Sequence, residues 1–205
     1  MTGKSDTARL TQRQVCTIFG VQAVAFCLLG AGLYYWTDRP IASFVVFDPS
    51  MTAWGLMMAG AMIVFAFGCF RVWPEFADRL MRLQRTNFAF LKPPFAWGPI
   101  VFLAICAGVG EEVLFRGGVQ TFLSDLMGPF PAILATSAMF AALHISKPIL
   151  TLLIFVIGIV FGIVYWMTGS LLLVMVAHSV YDIFAIRYLQ RRLNEIGWSD
   201  GPPNT

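Results

Sequence analysis

Positions 149–168 hold twenty consecutive residues without one charged side chain, opening Ile-Leu-Thr-Leu-Leu-Ile and closing Val-Tyr-Trp-Met-Thr. As a helix, a run of about that length spans the roughly 30 Å hydrocarbon core of a bilayer. Hydrocarbon offers no water to backbone N–H and C=O groups, and a helix satisfies them within a single segment. Further apolar runs occupy 15–36, 51–72, 95–127, 132–145 and 171–188. The expected fold is therefore all-α, a polytopic transmembrane helical bundle of about six spans. Composition agrees, with 58% hydrophobic and 12% charged residues, where soluble domains carry about 25% charged. The 205 residues suit a single membrane domain over 1–205 and leave no room for a second.

Between the runs the charges carry information. The stretch 73–92 holds Trp73, Pro74, Arg79, Arg82, Arg85 and Lys92, with Phe76, Leu80, Leu83 and Phe90 spaced loosely for one helical face. It is expected to lie at the membrane surface as an amphipathic helix, basic side chains toward lipid headgroups. It separates the N-terminal spans, 15–72, from a core at 95–189. The run 95–127 is long for one straight span, so it is either one tilted helix or two joined near Gly108 and Gly110. Lys4, Arg9, Arg13, the basic stretch, Lys147, Arg187, Arg191 and Arg192 fall on one side of a six-span arrangement, which sets both termini in the cytoplasm. The first run is longer than the apolar region of a secretory signal and reads as a retained span. The tail Gly-Pro-Pro-Asn-Thr is expected to be disordered. A net charge of +3 gives no sign of nucleic-acid binding. Cys16, Cys27, Cys69 and Cys106 lie inside apolar segments and read as buried small hydrophobes. Gly158-x-x-x-Gly162 allows a close helix contact.

Against this background the stretch 110–117, Gly-Glu-Glu-Val-Leu-Phe-Arg-Gly, is costly. A charged group near the bilayer centre costs about 2.5–3.5 kcal/mol on insertion scales, and such groups persist where they pair or do chemistry. Glu112 and Arg116 are i and i+4 and can face each other on a helix, while Glu111 points about 100° away. Two further pairs follow, Phe140-x-x-x-His144 and His178-x-x-x-Asp182, and these histidines are the two in the chain. Three spans can thus bring Glu111, Glu112, Arg116, His144, His178 and Asp182 to one bundle interior.

Such polar groups can simply tie helices together, but that gain averages only about 0.6 kcal/mol. A proton or ion pathway is a second use of the same groups, and a proton-coupled transporter would carry repeated halves, which are not evident. A third use is hydrolysis: a carboxylate beside a neutral imidazole can hold a water and take its proton, and a second His with Asp182 can serve a developing oxyanion. The same residue types can bind Zn²⁺ through two His and one carboxylate. No nucleophilic-serine elbow or Cys-His partnership is present.

The three motifs, in this order and on three helical segments, resemble the signature of the CPBP intramembrane proteases, which include the type II CAAX prenyl endopeptidases and bacterial Abi proteins linked to bacteriocin self-immunity. The resemblance covers about 95–189. It implies an intramembrane endopeptidase that cleaves a membrane-associated or lipidated protein or peptide. Residue by residue, it implies that Glu111 and His144 activate the attacking water, that His178 and Asp182 stabilise the oxyanion, and that Glu112, Arg116 and Phe140 support them. The last position is Asn in the prenyl endopeptidases and often Asp in bacterial relatives. An ionised Asp182 cannot donate to an oxyanion and would orient His178 or carry a proton instead. The family is described both as metal-independent glutamate proteases and as metalloproteases. The expectation is no cofactor, with Zn held by Glu111, His144 and His178 as the alternative. The expected partners are a membrane-embedded or lipidated substrate and the lipid bilayer, and the expected location is the bacterial inner membrane. A scaffold or bacteriocin-immunity-type protein that keeps the fold without cleaving is the rival reading.

Overall fold

The structure, a computed structural model, describes residues 10–92, 94–144 and 147–198. Lys4, Arg9, Ile145 and the tail expected to be disordered lie outside the described residues. Among the described residues the regular elements are helices: α1 (Gln12–Tyr35), α2 (Pro49–Val72), α3 (Pro74–Gln84), α4 (Trp97–Glu112), a π-wound stretch (Val113–Gln120), α5 (Thr121–Met127), α6 (Pro129–Leu143), α7 (Pro148–Thr168) and α8 (Leu171–Ile196).

Helix starts follow local chemistry. Thr11 closes a reciprocal capping box with Gln14 at the head of α1, and the Ser170 hydroxyl accepts from the Leu173 N–H at the head of α8. Proline opens α2, α3, α6 and α7, where a missing N–H costs no helical bond. Asp48 caps α2 by accepting from the Ser50 N–H at 2.7 Å, and hydrogen bonds from Ser50 hold its carboxyl below the ordinary carboxylate value.

Five helical stretches are long and apolar enough to cross a membrane: α1, α2, the continuous Trp97–Met127, α7 and α8. The expectation of about six spans is met by these five and a shorter apolar helix. That helix, α6, has 15 residues, about 22 Å at 1.5 Å per residue, less than the roughly 30 Å core.

No break occurs at Gly108 or Gly110, which correct the two-helix alternative. Both lie inside α4, and their missing side chains serve packing instead. A Cβ on Gly108 would run into Ser179 of α8, and one on Gly110 would sit 2.9 Å from the Cα of Ala23 in α1. Central α4 thereby packs on both α1 and α8, while α2 packs on α8, and α6 on α7. Gly158 and Gly162 make the expected close approach, the first against Ser137 of α6 and the second against Gln120 and Ile133.

The last helix runs eight residues past the expected end at Tyr188. Leu189 and Leu193 are buried there, and Arg192 makes a two-pronged pair with Asp78 of α3 at 2.6 and 2.8 Å, so packing carries the helix through a polar sequence. Arg187 lies over the Trp97 ring, 5.0 Å from its centroid, tying α8 to the start of α4. The expected surface stretch forms α3 over part of its length, burying Ala77, Leu80 and Met81. All four cysteines are free thiols, half-buried rather than buried.

Candidate active site

Three helices converge on the acidic pair. Glu112, the last residue of α4, and Arg116 are each 1% exposed, with Arg116 Nε 3.2 Å from Glu112 Oε2. The ion pair expected from the i, i+4 spacing is therefore formed, although α-helical winding gives way to π winding from Val113. The Thr121 hydroxyl donates to the Arg116 carbonyl at 3.1 Å, satisfying an acceptor in the wide turn. The guanidinium also lies over the Phe140 ring, 5.3 Å from its centroid. Breaks of this kind in a helix recur at functional sites.

Glu112 has a second partner that spacing does not reveal. Its Oε1 lies 2.9 Å from His178 Nδ1. A carboxylate already facing a guanidinium only accepts, so His178 donates from Nδ1 and turns Nε2 the other way. The second histidine is set by the same logic. His144, at the C-terminal cap of α6, has Nδ1 2.8 Å from the Phe140 carbonyl. A carbonyl cannot donate, so His144 donates from Nδ1 and its Nε2 is left for other partners.

Both free Nε2 atoms face Glu111. Its Oε2 is 3.9 Å from His144 Nε2 and 3.9 Å from His178 Nε2. Asp182 Oδ2 is 3.6 Å from His178 Nε2, too long for a hydrogen bond. The hydrogen bond that orients His178 thus comes from Glu112, a role the motif reading allotted to Asp182. Phe140 joins the pieces: its ring is 4.5 Å from that of His144, 6.3 Å from that of His178 and 5.1 Å from Phe115. Phe161 of α7 adds an edge contact to His178 at 5.5 Å.

The level of His144 follows from helix lengths. Counting back from the corner at Gly128, Glu111 is 16 residues before Met127 and His144 is 15 residues after Pro129, so both lie about 22–24 Å from that corner. Short α6, rather than a glycine break, brings them level.

The side chains open into a cavity of about 510 Å³ that runs from Glu111, His144, His178 and Asp182 toward α3, where Leu80, Met81 and Gln84 line it. The sequence reading did not pick out Gln84, Gln22 or Tyr181 on this wall. For Gln84 a signal existed, since it follows Leu80 by one helical turn. For Phe161 there was none. Gln120, fully buried and donating to the Gly162 carbonyl at 2.9 Å, was also missed.

In the zinc alternative the donors are Glu111, His144 and His178. These side chains meet at 3.9 Å, and among the described residues no group of three His, Cys, Asp or Glu is arranged to hold a metal ion.

Residues 93–184 match the model of a family described as type II CAAX prenyl endopeptidase Rce1-like, the family that the three motifs resemble. The chain is also similar to a Bacillus subtilis (strain 168) protein described as uncharacterized protein YpbD, at 27% identity over 168 residues, 79% of this chain and 82% of the relative. No solved structure matches. Glu111, Glu112, Arg116, Phe140, His144, His178 and Asp182 all fall inside the matched segment, and by that segment this membrane protein is similar to the Rce1-like family.

Proposed function

We propose that the protein is an intramembrane endopeptidase that hydrolyses a peptide bond of a membrane-embedded or lipidated protein or peptide with a water activated by Glu111 and His144. The observation that carries the reading is the pair of imidazole Nε2 atoms at equal 3.9 Å distances from one oxygen of Glu111. Gaps of that size are too wide for direct hydrogen bonds and leave Glu111 and His144 free to hold a water between them.

In this mechanism the water gives its proton to the Glu111–His144 pair as its oxygen bonds to the scissile carbonyl carbon. The carbonyl oxygen becomes an oxyanion facing His178 Nε2. His178 donates to it in the doubly protonated form, whose charge is faced by the carboxylates of Glu112 and Asp182. The C–N bond then breaks as the departing nitrogen takes the proton held by the pair, leaving a carboxylic acid and an amine. Arg116 and Phe140 act through Glu112 and the two imidazoles, which they hold in position. The apolar wall toward α3 suits a substrate presented from lipid, and the family description supports a lipidated chain end as one form of it.

Purified wild type and Glu111→Gln, reconstituted in bilayers and offered a library of membrane-anchored peptides, test the reading by mass spectrometry. Cleavage by wild type alone, persisting after thorough chelation, is expected. Absence of wild-type cleavage under conditions where the fold is intact contradicts it. Cleavage abolished by chelation and restored by Zn²⁺ contradicts its metal-free form.

A further inference from the structure

Helix α3 begins where α2 ends, with Trp73 serving as the C-cap of one and the N-cap of the other. A membrane-spanning helix therefore delivers α3 directly to the bilayer surface, and exposed Trp73 and Phe76 are side chains suited to that level. The helix has two faces. Ala77, Leu80, Met81 and Gln84 fall on one, and the last three line the catalytic cavity. At 100° per residue, Arg79 and Arg82 fall on the opposite face, one exposed and the other half-buried.

These arginines border a surface recess of about 480 Å³ together with Glu75, Asp78, Leu83 and Arg85. Of the two carboxylates, Asp78 is taken by Arg192. Glu75 sits in the first turn, where a carboxylate complements the helix dipole. Neither Arg79 nor Arg82 has an ion-pair partner among the described residues. The recess is thus cationic, concave and held at headgroup level, while the helix that forms it walls the catalytic cavity from behind.

We propose that Arg79 and Arg82 form a binding site for the phosphate of an anionic phospholipid headgroup. The ligand is argued from charge complementarity and depth: guanidinium groups match phosphate oxygens two at a time, and the helix that bears them leaves the membrane at Trp73. The site goes beyond the hydrolytic reading and does not depend on it, since occupancy is read without turnover.

The test is native mass spectrometry of the full-length protein released from bilayers of phosphatidylcholine mixed with phosphatidylglycerol. Wild type is expected to retain phosphatidylglycerol preferentially. Arg79→Gln with Arg82→Gln is expected to lower that retention by about 25-fold, at roughly fivefold for each charge, while Arg79→Lys with Arg82→Lys, which keeps the charges but not the paired donors, falls between the two. Circular dichroism checks that both variants keep wild-type helicity. Equal retention by wild type and the glutamine variant overturns the site, and so does a lysine variant that loses as much as the glutamine one. A glutamine variant that keeps its phosphatidylglycerol but no longer binds an acidic membrane peptide also overturns it, by assigning the arginines to a protein ligand.

Discussion

Glu111 and Glu112 are adjacent in the chain and live in different surroundings. Glu112 is enclosed, with Arg116 on one oxygen and His178 on the other, whereas Glu111 opens into the cavity. Their variants should part accordingly. Glu111→Gln is expected to lower turnover by about 10²- to 10⁴-fold, the worth of a positioned acid–base group, with thermal stability near wild type. Glu112→Ala strands a buried guanidinium and is expected to cost about 3–5 kcal/mol, read as a lowered unfolding midpoint in detergent, and the double variant Glu112→Ala with Arg116→Met should recover part of that loss. Asp182→Asn removes one of the two carboxylates that face the His178 charge, at 3.6 Å and without a hydrogen bond, and is expected to lower turnover by at most roughly tenfold, about 1.4 kcal/mol of barrier. The Glu112–Arg116 pair was legible because helical spacing alone brings the two together. The Glu112–His178 bond was not, because it joins residues 66 apart in sequence and exists only where α4 packs on α8.

That packing is a property of elements. Gly108 lets α4 approach Ser179 of α8 in the turn next to His178, so Gly108→Val should force the helices apart. An overpacking cost of about 1–3 kcal/mol is expected, together with a loss of turnover larger than the loss of stability explains, since the His178–Glu112 distance sets the site. Wild-type turnover in a Gly108→Val protein of unchanged melting temperature would contradict this. Apolar run length located most helices to within a few residues, because hydrocarbon demands internally satisfied backbone over the whole run. It failed at the two places where tertiary contacts take over. One is the π-wound turn after Glu112, which depends on Thr121 and the Phe140 ring. The other is the extra turns of α8, held by Leu189, Leu193 and the Asp78 pair. The run at 132–145 was already short in the sequence, and the 15-residue α6 is what brings His144 level with Glu111.

At the scale of the whole molecule, basic residues collect around α3, the α6–α7 corner at Lys147 and the C-terminal end of α8. From the positive-inside rule we propose that both termini are cytoplasmic. A fluorescent reporter fused after Thr205 should glow on that side, while an alkaline phosphatase fused at Asp38, between α1 and α2, should be active on the other. The reverse pattern would also remove the expected lipid environment of Arg79 and Arg82. The all-helical membrane bundle could be read from composition and run length, and three spaced pairs of residues pointed to the site. The shape of the cavity is formed by residues from α1, α3, α4, α6, α7 and α8 whose meeting no local pattern encodes. The central claim is that Glu111 serves hydrolysis. Comparing the protein termini in membranes of cells carrying wild type with those carrying Glu111→Gln at equal abundance tests it most directly. At least one membrane protein should show a new terminus in wild type and an intact chain in the variant, and identical sets of termini in the two would contradict the account.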